Sequence, residues 1–254
     1  MYVYPHPDQN SQVVISVSTR FLPDAQLSKE PVDLTLQSED SVFFYVSSEM
    51  LLKHSDNRFG SLIPTPLEKA QIVYVAESAQ VLNVVLHTVY EITLFDHSPP
   101  LSTIILAAEN LLIYGLDPKV FVKPSKPLYT ALLSYSPLYP LDVYALAGSL
   151  GLEDLARTTS SHLLSFPLSI LTDEIAARIG AVYLIRLVRL HMFRTEELKA
   201  MLFTPPRPHP EISTCDFGDQ RKLTRAWALA AAYLAWDARP STLPLIISCL
   251  LYDS

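Results

Sequence analysis

Pro31-Val32-Asp33-Leu34-Thr35-Leu36, then Gln37-Ser38-Glu39-Asp40-Ser41, then Val42-Phe43-Phe44-Tyr45-Val46 is the stretch that decides the architecture of this 254-residue chain. Val32, Leu34 and Leu36 alternate with polar residues, the period of a half-buried strand. The five polar residues that follow supply a turn. Residues 42–46 are β-branched or aromatic throughout and predict a second strand. Next come Ser47-Ser48-Glu49. A serine here accepts a bond from an orphan backbone N–H, and an early glutamate suits the positive pole of a helix, so a helix starts at this point. Its apolar positions are Met50, Leu51, Leu52, Phe59 and Leu62. The gap between them predicts two short helices rather than one, ending at Pro64.

Outward from that stretch, residues 1–27 read as an amino-terminal leader. Residues 13–17 within it are a candidate edge strand, either pairing across a dimer or covering the edge of the domain. Residues 71–75 predict a third strand. Val81, Leu82, Val85, Leu86, Val89 and Tyr90 recur at steps of three and four, as on a helix. Pro99-Pro100 opens another helix. Leu101, Ile104, Ile105, Ala108, Leu111 and Leu112 mark its inner face, and Gly115 is its cap. Beyond residue 120 the chain reads as helices. Residues 141–150 and 152–164 pair around Gly151. A long helix begins at Thr172-Asp173-Glu174, with Ile175, Ile179, Val182, Leu187 and Leu190 inward, and residues 195–202 form one more. Residues 205–210 are a stiff proline-rich loop. Residues 223–236 form an alanine-rich helix with Trp227, Ala231 and Leu234 on one side, and residues 242–251 a last apolar segment.

The deciding stretch resembles the opening of the BTB/POZ domain, in the divergent form found in mushroom-forming fungi. The residues that carry the likeness are Asp33, Ser38-Glu39-Asp40, Phe44-Tyr45-Val46, and Ser55 and Phe59 in the helical run. It extends through Ala107-Ala108, Leu141-Asp142-Val143-Tyr144 and Ala181-Val182-Tyr183-Leu184, and covers about residues 31 to 236. Ser47-Ser48 stands where the family often has His-Lys. The resemblance implies an α+β fold: a BTB/POZ-like core of short strands packed by helices over residues 28–118, then an all-helical region over residues 119–254 packed closely on it. It also implies a non-enzymatic protein–protein interaction module, a homodimer or homo-oligomer acting as adaptor or scaffold. Some family members bind cullin-3 as substrate adaptors of ubiquitin ligases.

Composition bounds these readings. Hydrophobic residues make up 49% of the chain, enough for a core. Only 18% are charged, below the usual quarter, which fits either a surface meant for a partner or a piece of a larger chain. The net charge is -7, with 14 acids and 6 bases in residues 1–120 against 12 and 13 in the remainder. No basic stripe exists, so direct nucleic-acid binding is not expected. Two cysteines, Cys215 and Cys249, make no disulfide framework. Together with the absence of a signal-peptide pattern this reads as an intracellular protein of the cytoplasm or nucleus. The longest apolar run, residues 226–236, is too short to cross a membrane.

No catalytic, cofactor-binding or metal residues are expected from the sequence. His6, His54, His87, His97, His162, His191 and His209 show no metal-ligand spacing. His87 reads as a satisfied, partly buried imidazole, and His191 as sitting near the negative pole of a helix. No GxSxG elbow or glycine-rich phosphate loop occurs. Cys215, with Asp216 and His209 nearby in sequence, reads as a loop cysteine. Glu39-Asp40, Asp173-Glu174 and Glu196-Glu197 are adjacent pairs, which do not face each other on a helix. Arg178, Arg186, Arg189 and Arg194 recur at helical spacing, either as a solvated face or as a patch for an acidic partner. Trp227, Trp236, Tyr233 and Tyr183 belong to the core unless exposed, when they mark a contact surface. The rival class is an enzyme whose site is assembled only in three dimensions.

Overall fold

Alternation in the deciding stretch sets the sheet. The computed structural model describes residues 16–65, 71–94 and 98–236. Within them β1 (Ser16–Val17), β2 (Leu34–Gln37), β3 (Val42–Val46) and β4 (Ile72–Tyr74) form one sheet in the order β1-β3-β2-β4. β2 and β3 are antiparallel, and β1 and β4 lie parallel to β3 and β2 respectively. Leu34, Leu36, Phe44, Val46 and Val73 are buried on one face, and Thr35, Gln37, Tyr45 and Tyr74 point the other way. The hairpin turn closes through Ser41 N–H to the Ser38 carbonyl, with Ser41 at φ 62°.

Val32 lies outside the strand and is exposed; ladder pairing begins only at Asp33, whose N–H donates to the Val46 carbonyl. The candidate strand at residues 13–17 pairs, through its described part Ser16–Val17, with β3 of the same chain, so it covers an edge. Residues 1–15 of the leader, including the first three of that strand, lie outside the described residues, as do Cys249 and residues 242–251.

The helix after β3 is α1 (Ser48–His54), capped by the Ser47 hydroxyl. No second helix forms over residues 55–62. Arg58, Phe59, Gly60 and Ser61 all have φ between 55° and 67°, a left-handed turn. Side chains hold it there. Ser55 Oγ accepts from Phe59 N–H at 2.6 Å, Asn57 Oδ1 accepts from Gly60 N–H at 2.7 Å, and the Arg58 guanidinium donates to the Ile63 and Pro64 carbonyls. Such short polar side chains offer the backbone an alternative to the helix. The result seats Phe59 flat on Tyr114, with ring centroids 4.2 Å apart.

α2 (Ala79–Val89) and α3 (Leu101–Ile113) pack side by side. Leu112, expected on the inner face of α3, is exposed, and Thr103, Ala107 and Asn110 are buried instead. Gly115 follows α3 at φ 65°, as a cap. Phe21 joins sheet to helix, with its ring against Phe44, His87 and Tyr90. α4 (Pro118–Phe121) and α5 (Pro127–Tyr135) follow.

The chain divides into two compact units, Met1–Leu132 and Leu133–Ser254. It is a mixed α+β protein with an early small strand region and an extended helical region. The second unit holds α6 (Pro140–Leu150), α7 (Glu153–Ser160), α8 (Asp173–Ile179), α9 (Ala181–Leu202) and α10 (Phe217–Trp236). Gly151 turns α6 into α7 with φ 67°. The long helix expected from residue 172 is broken at Gly180, where φ 76° and ψ 154° define a conformation open essentially to glycine alone. The expected separate helix at residues 195–202 is the end of α9. Among the described residues no helix is long and apolar enough to cross a membrane.

Candidate interaction surface

Three polar locks hold the first unit. The Asp33 carboxylate accepts from Ser48 N–H at 2.7 Å and Ser48 Oγ at 2.6 Å, tying the entry of β2 to the start of α1. Beside it, Tyr90 Oη accepts from Ser47 N–H at 2.8 Å, and burial raises the Tyr90 hydroxyl above its usual range. The Asp40 carboxylate accepts from Ser38 Oγ and Ala79 N–H, both at 2.7 Å, and so caps α2, whose own Ser78 makes no side-chain cap. Burial opposes ionisation of Asp40, but these hydrogen bonds outweigh it and hold the carboxyl below its usual range. The third lock joins Tyr114 Oη and Asn110 Nδ2 to the Glu77 carboxylate. Burial, and then the hydrogen bond to Glu77, push the Tyr114 hydroxyl far upward.

In the second unit, Tyr144, Glu153, Arg157, Tyr183 and Arg186 border a cavity of about 200 Å³. Tyr144 Oη donates to the Tyr183 carbonyl at 2.9 Å, the Arg186 guanidinium lies 5.1 Å from the Tyr183 ring centroid, and Arg186 bonds Glu153. That pairing lowers the Glu153 carboxyl. The arginines therefore form no single stripe. Arg178 is on α8, the other three are on α9, and Arg186 is engaged by Glu153.

The histidines stand apart. His87 is buried, with Nδ1 2.8 Å from the Asn83 carbonyl, as a satisfied core imidazole. His54 meets the edge of Phe121, His209 bonds the Pro210 carbonyl from the exposed loop, and His162 is exposed. His191 is not near a helix end. α9 continues past it, and the ring is 4% exposed with neither nitrogen in a hydrogen bond. The Leu163 carbonyl favours the charged ring, though neither ring nitrogen makes a hydrogen bond. Burial lowers the imidazole below its usual range, against the pull of that carbonyl. His6 and His97 lie outside the described residues. No cluster of three or more His, Cys, Asp or Glu able to hold a metal ion occurs among the described residues.

Cys215 closes a small loop by backbone bonds to Ile212, while the Asp216 carboxylate accepts from Asp219 N–H at the start of α10. Of the acid pairs, Asp173-Glu174 fills the first turn of α8 and Glu196-Glu197 is exposed on α9.

What the second unit offers most is apolar surface. α10 packs on α9 through Leu198, Leu202, Ala231 and Ala235, with Trp227 and Leu234 against this cluster and Trp227 Nε1 donating to the Leu202 carbonyl at 3.0 Å. The opposite face carries Leu229, Tyr233 and Trp236, which are 75%, 73% and 94% exposed. Val182, Ile185, Met192 and Phe193 of α9 are also exposed. The sequence flagged Tyr233 and Trp236 as contact residues if exposed. It gave no sign of Leu229, Ile185, Met192 or Phe193, and Val182, expected on the buried side of the long helix, is exposed instead. No protein-family model matches this chain, and no curated protein matches it.

Proposed function

We propose that this chain is a non-enzymatic protein–protein interaction module, BTB/POZ-like in its first unit, that self-associates and serves as an adaptor or scaffold. The observation that carries the reading is the row of large apolar side chains left in water on α10, Leu229, Tyr233 and Trp236. Clustered exposure of this kind marks contact sites. The BTB/POZ-like part is supported by element order: a β2–β3 hairpin, a helix locked to β2 by Asp33, then β4 parallel to β2, then two packed helices. Ser47 and Ser48 replace the His-Lys of the resemblance. Here they cap α1 and bind Asp33, so the position serves the fold and presents no cation to a partner.

The test is solution mass by light scattering over a concentration series, alone and with the cullin-3 amino-terminal region. A mass of twice 28.4 kDa is expected. A monomer throughout overturns self-association. Gain of the cullin's mass identifies a ligase adaptor; a dimer that ignores it is a scaffold.

A further inference from the structure

We infer that the outer face of α10 is the seam on which a second copy of this chain docks, antiparallel, helix against helix. The inference rests on the self-association proposed above and assigns it a surface. From Trp227 onward each exposed large residue of α10 follows a packed one by two positions: Leu229 after Trp227, Tyr233 after Ala231, Trp236 after Leu234. Two residues are about 200° around a helix, so the helix is apolar on opposite sides. One side packs on α9; a helix apolar all round is a helix buried all round.

The seam Lys222, Ala226, Leu229, Tyr233, Trp236 has steps of four and three, the spacing of a helix–helix contact line. It is self-complementary when reversed about Leu229. Leu229 then meets Leu229 of the partner subunit, Tyr233 meets the small Ala226 of the partner subunit, and Trp236 meets Lys222 of the partner subunit. Charge favours this direction. Asp219, Arg221, Lys222 and Arg225 all sit in the first half of α10, and residues 226–236 carry none. A parallel pair would stack Arg225 on its copy. The antiparallel pair lays basic side chains along aromatic faces, which attract cations. Exposed aromatics contribute about 150–250 Å² each and a leucine roughly 60–120 Å². The seam therefore offers roughly 400–500 Å² per chain, and about 1,000 Å² in a pair once the Lys222 and Arg225 stems are counted, the floor for a specific interface.

The test uses the full chain with Cys215→Ser and Cys249→Ser. Leu229→Cys, on the two-fold axis, is expected to cross-link to its copy under mild oxidation, while Glu196→Cys, exposed on α9, does not. Leu229→Glu is expected to weaken dimerisation at least about 100-fold, because it buries an unpaired charge, with helical circular dichroism unchanged. If the parent is a monomer, the self-association reading fails and takes the seam with it. If the parent is a dimer, Leu229→Glu stays a dimer and Leu229→Cys does not cross-link, only the seam is overturned, and another segment or partner covers α10.

Discussion

Asp33 is a surface residue by accessibility, yet it accepts two short hydrogen bonds from Ser48 at the first turn of α1. Each such bond contributes about 0.5–1.5 kcal/mol net. Asp33→Ala is therefore expected to cost about 1–2 kcal/mol, read as a lower urea midpoint with unchanged slope, and Asp33→Asn should recover part of it. A midpoint equal to the parent's would show the lock to be idle. His191 makes the opposite case, a buried polar ring without partners. Burial lowers its folded pKa below the ordinary 6.5. Below that pH the unfolded chain takes up a proton that the folded chain resists. Stability is thus full above pH 6.5 and falls as pH drops through it, by at most about 1.4 kcal/mol per pH unit. Arg194 beside it acts in the same direction. Melting curves at pH 7.5 and 5.5 should differ less for His191→Leu than for the parent; an equal shift in both would remove His191 as the cause.

Two glycines organise the helical unit for different reasons. At Gly148 of α6 an added Cβ would lie 2.3 Å from the Ile179 carbonyl oxygen, so only a hydrogen there lets α6 and α8 approach. At Gly180 nothing lies within 4 Å, but the backbone conformation excludes other residues. Gly148→Ala is expected to cost about 1–3 kcal/mol through overpacking. Gly180→Ala should cost a similar amount through backbone strain alone. Thermal denaturation separates them: Gly148→Ala with Ile179→Ala should restore nothing, since the clash is with backbone, and a parent-like melting temperature for either single variant would refute its account. These positions also show what sequence could convey. Strands β2 and β3, the Ser47 cap and the turn at Gly151 were legible, because periodicity and capping chemistry are local. The left-handed turn at Arg58–Ser61 was not, since the Ser55 and Asn57 side chains that hold it are themselves fixed by the Tyr114 and Ile113 carbonyls, 59 and 56 residues away. Nor was the break at Gly180, because the apolar period of Ile179 and Leu187 runs on across it. Asp40 read as part of a turn; its second role, capping α2, required the fold to bring Ala79 to it.

Charge and apolar surface are divided unequally along the chain. Residues 1–120 carry 14 acids against 6 bases, while the exposed aromatic row of α10 lies far downstream in a nearly neutral region. Association driven by that row buries apolar area and places two chains of net charge -7 together. Like net charges repel over a Debye length, about 10 Å at 0.1 M salt and 3 Å at 1 M. Salt therefore weakens the repulsion and leaves apolar burial intact. Only the Lys222 and Arg225 contacts to aromatic faces run the other way, and these sit at the ends of the seam. Sedimentation equilibrium at 50 mM and 500 mM salt is expected to show the dimer unchanged or tighter at high salt, by a factor of about 2–10. A dimer that loosens tenfold or more would mean that ion pairs between the acidic first unit and basic side chains hold the copies together, and the contact would then have to be sought away from Leu229, Tyr233 and Trp236.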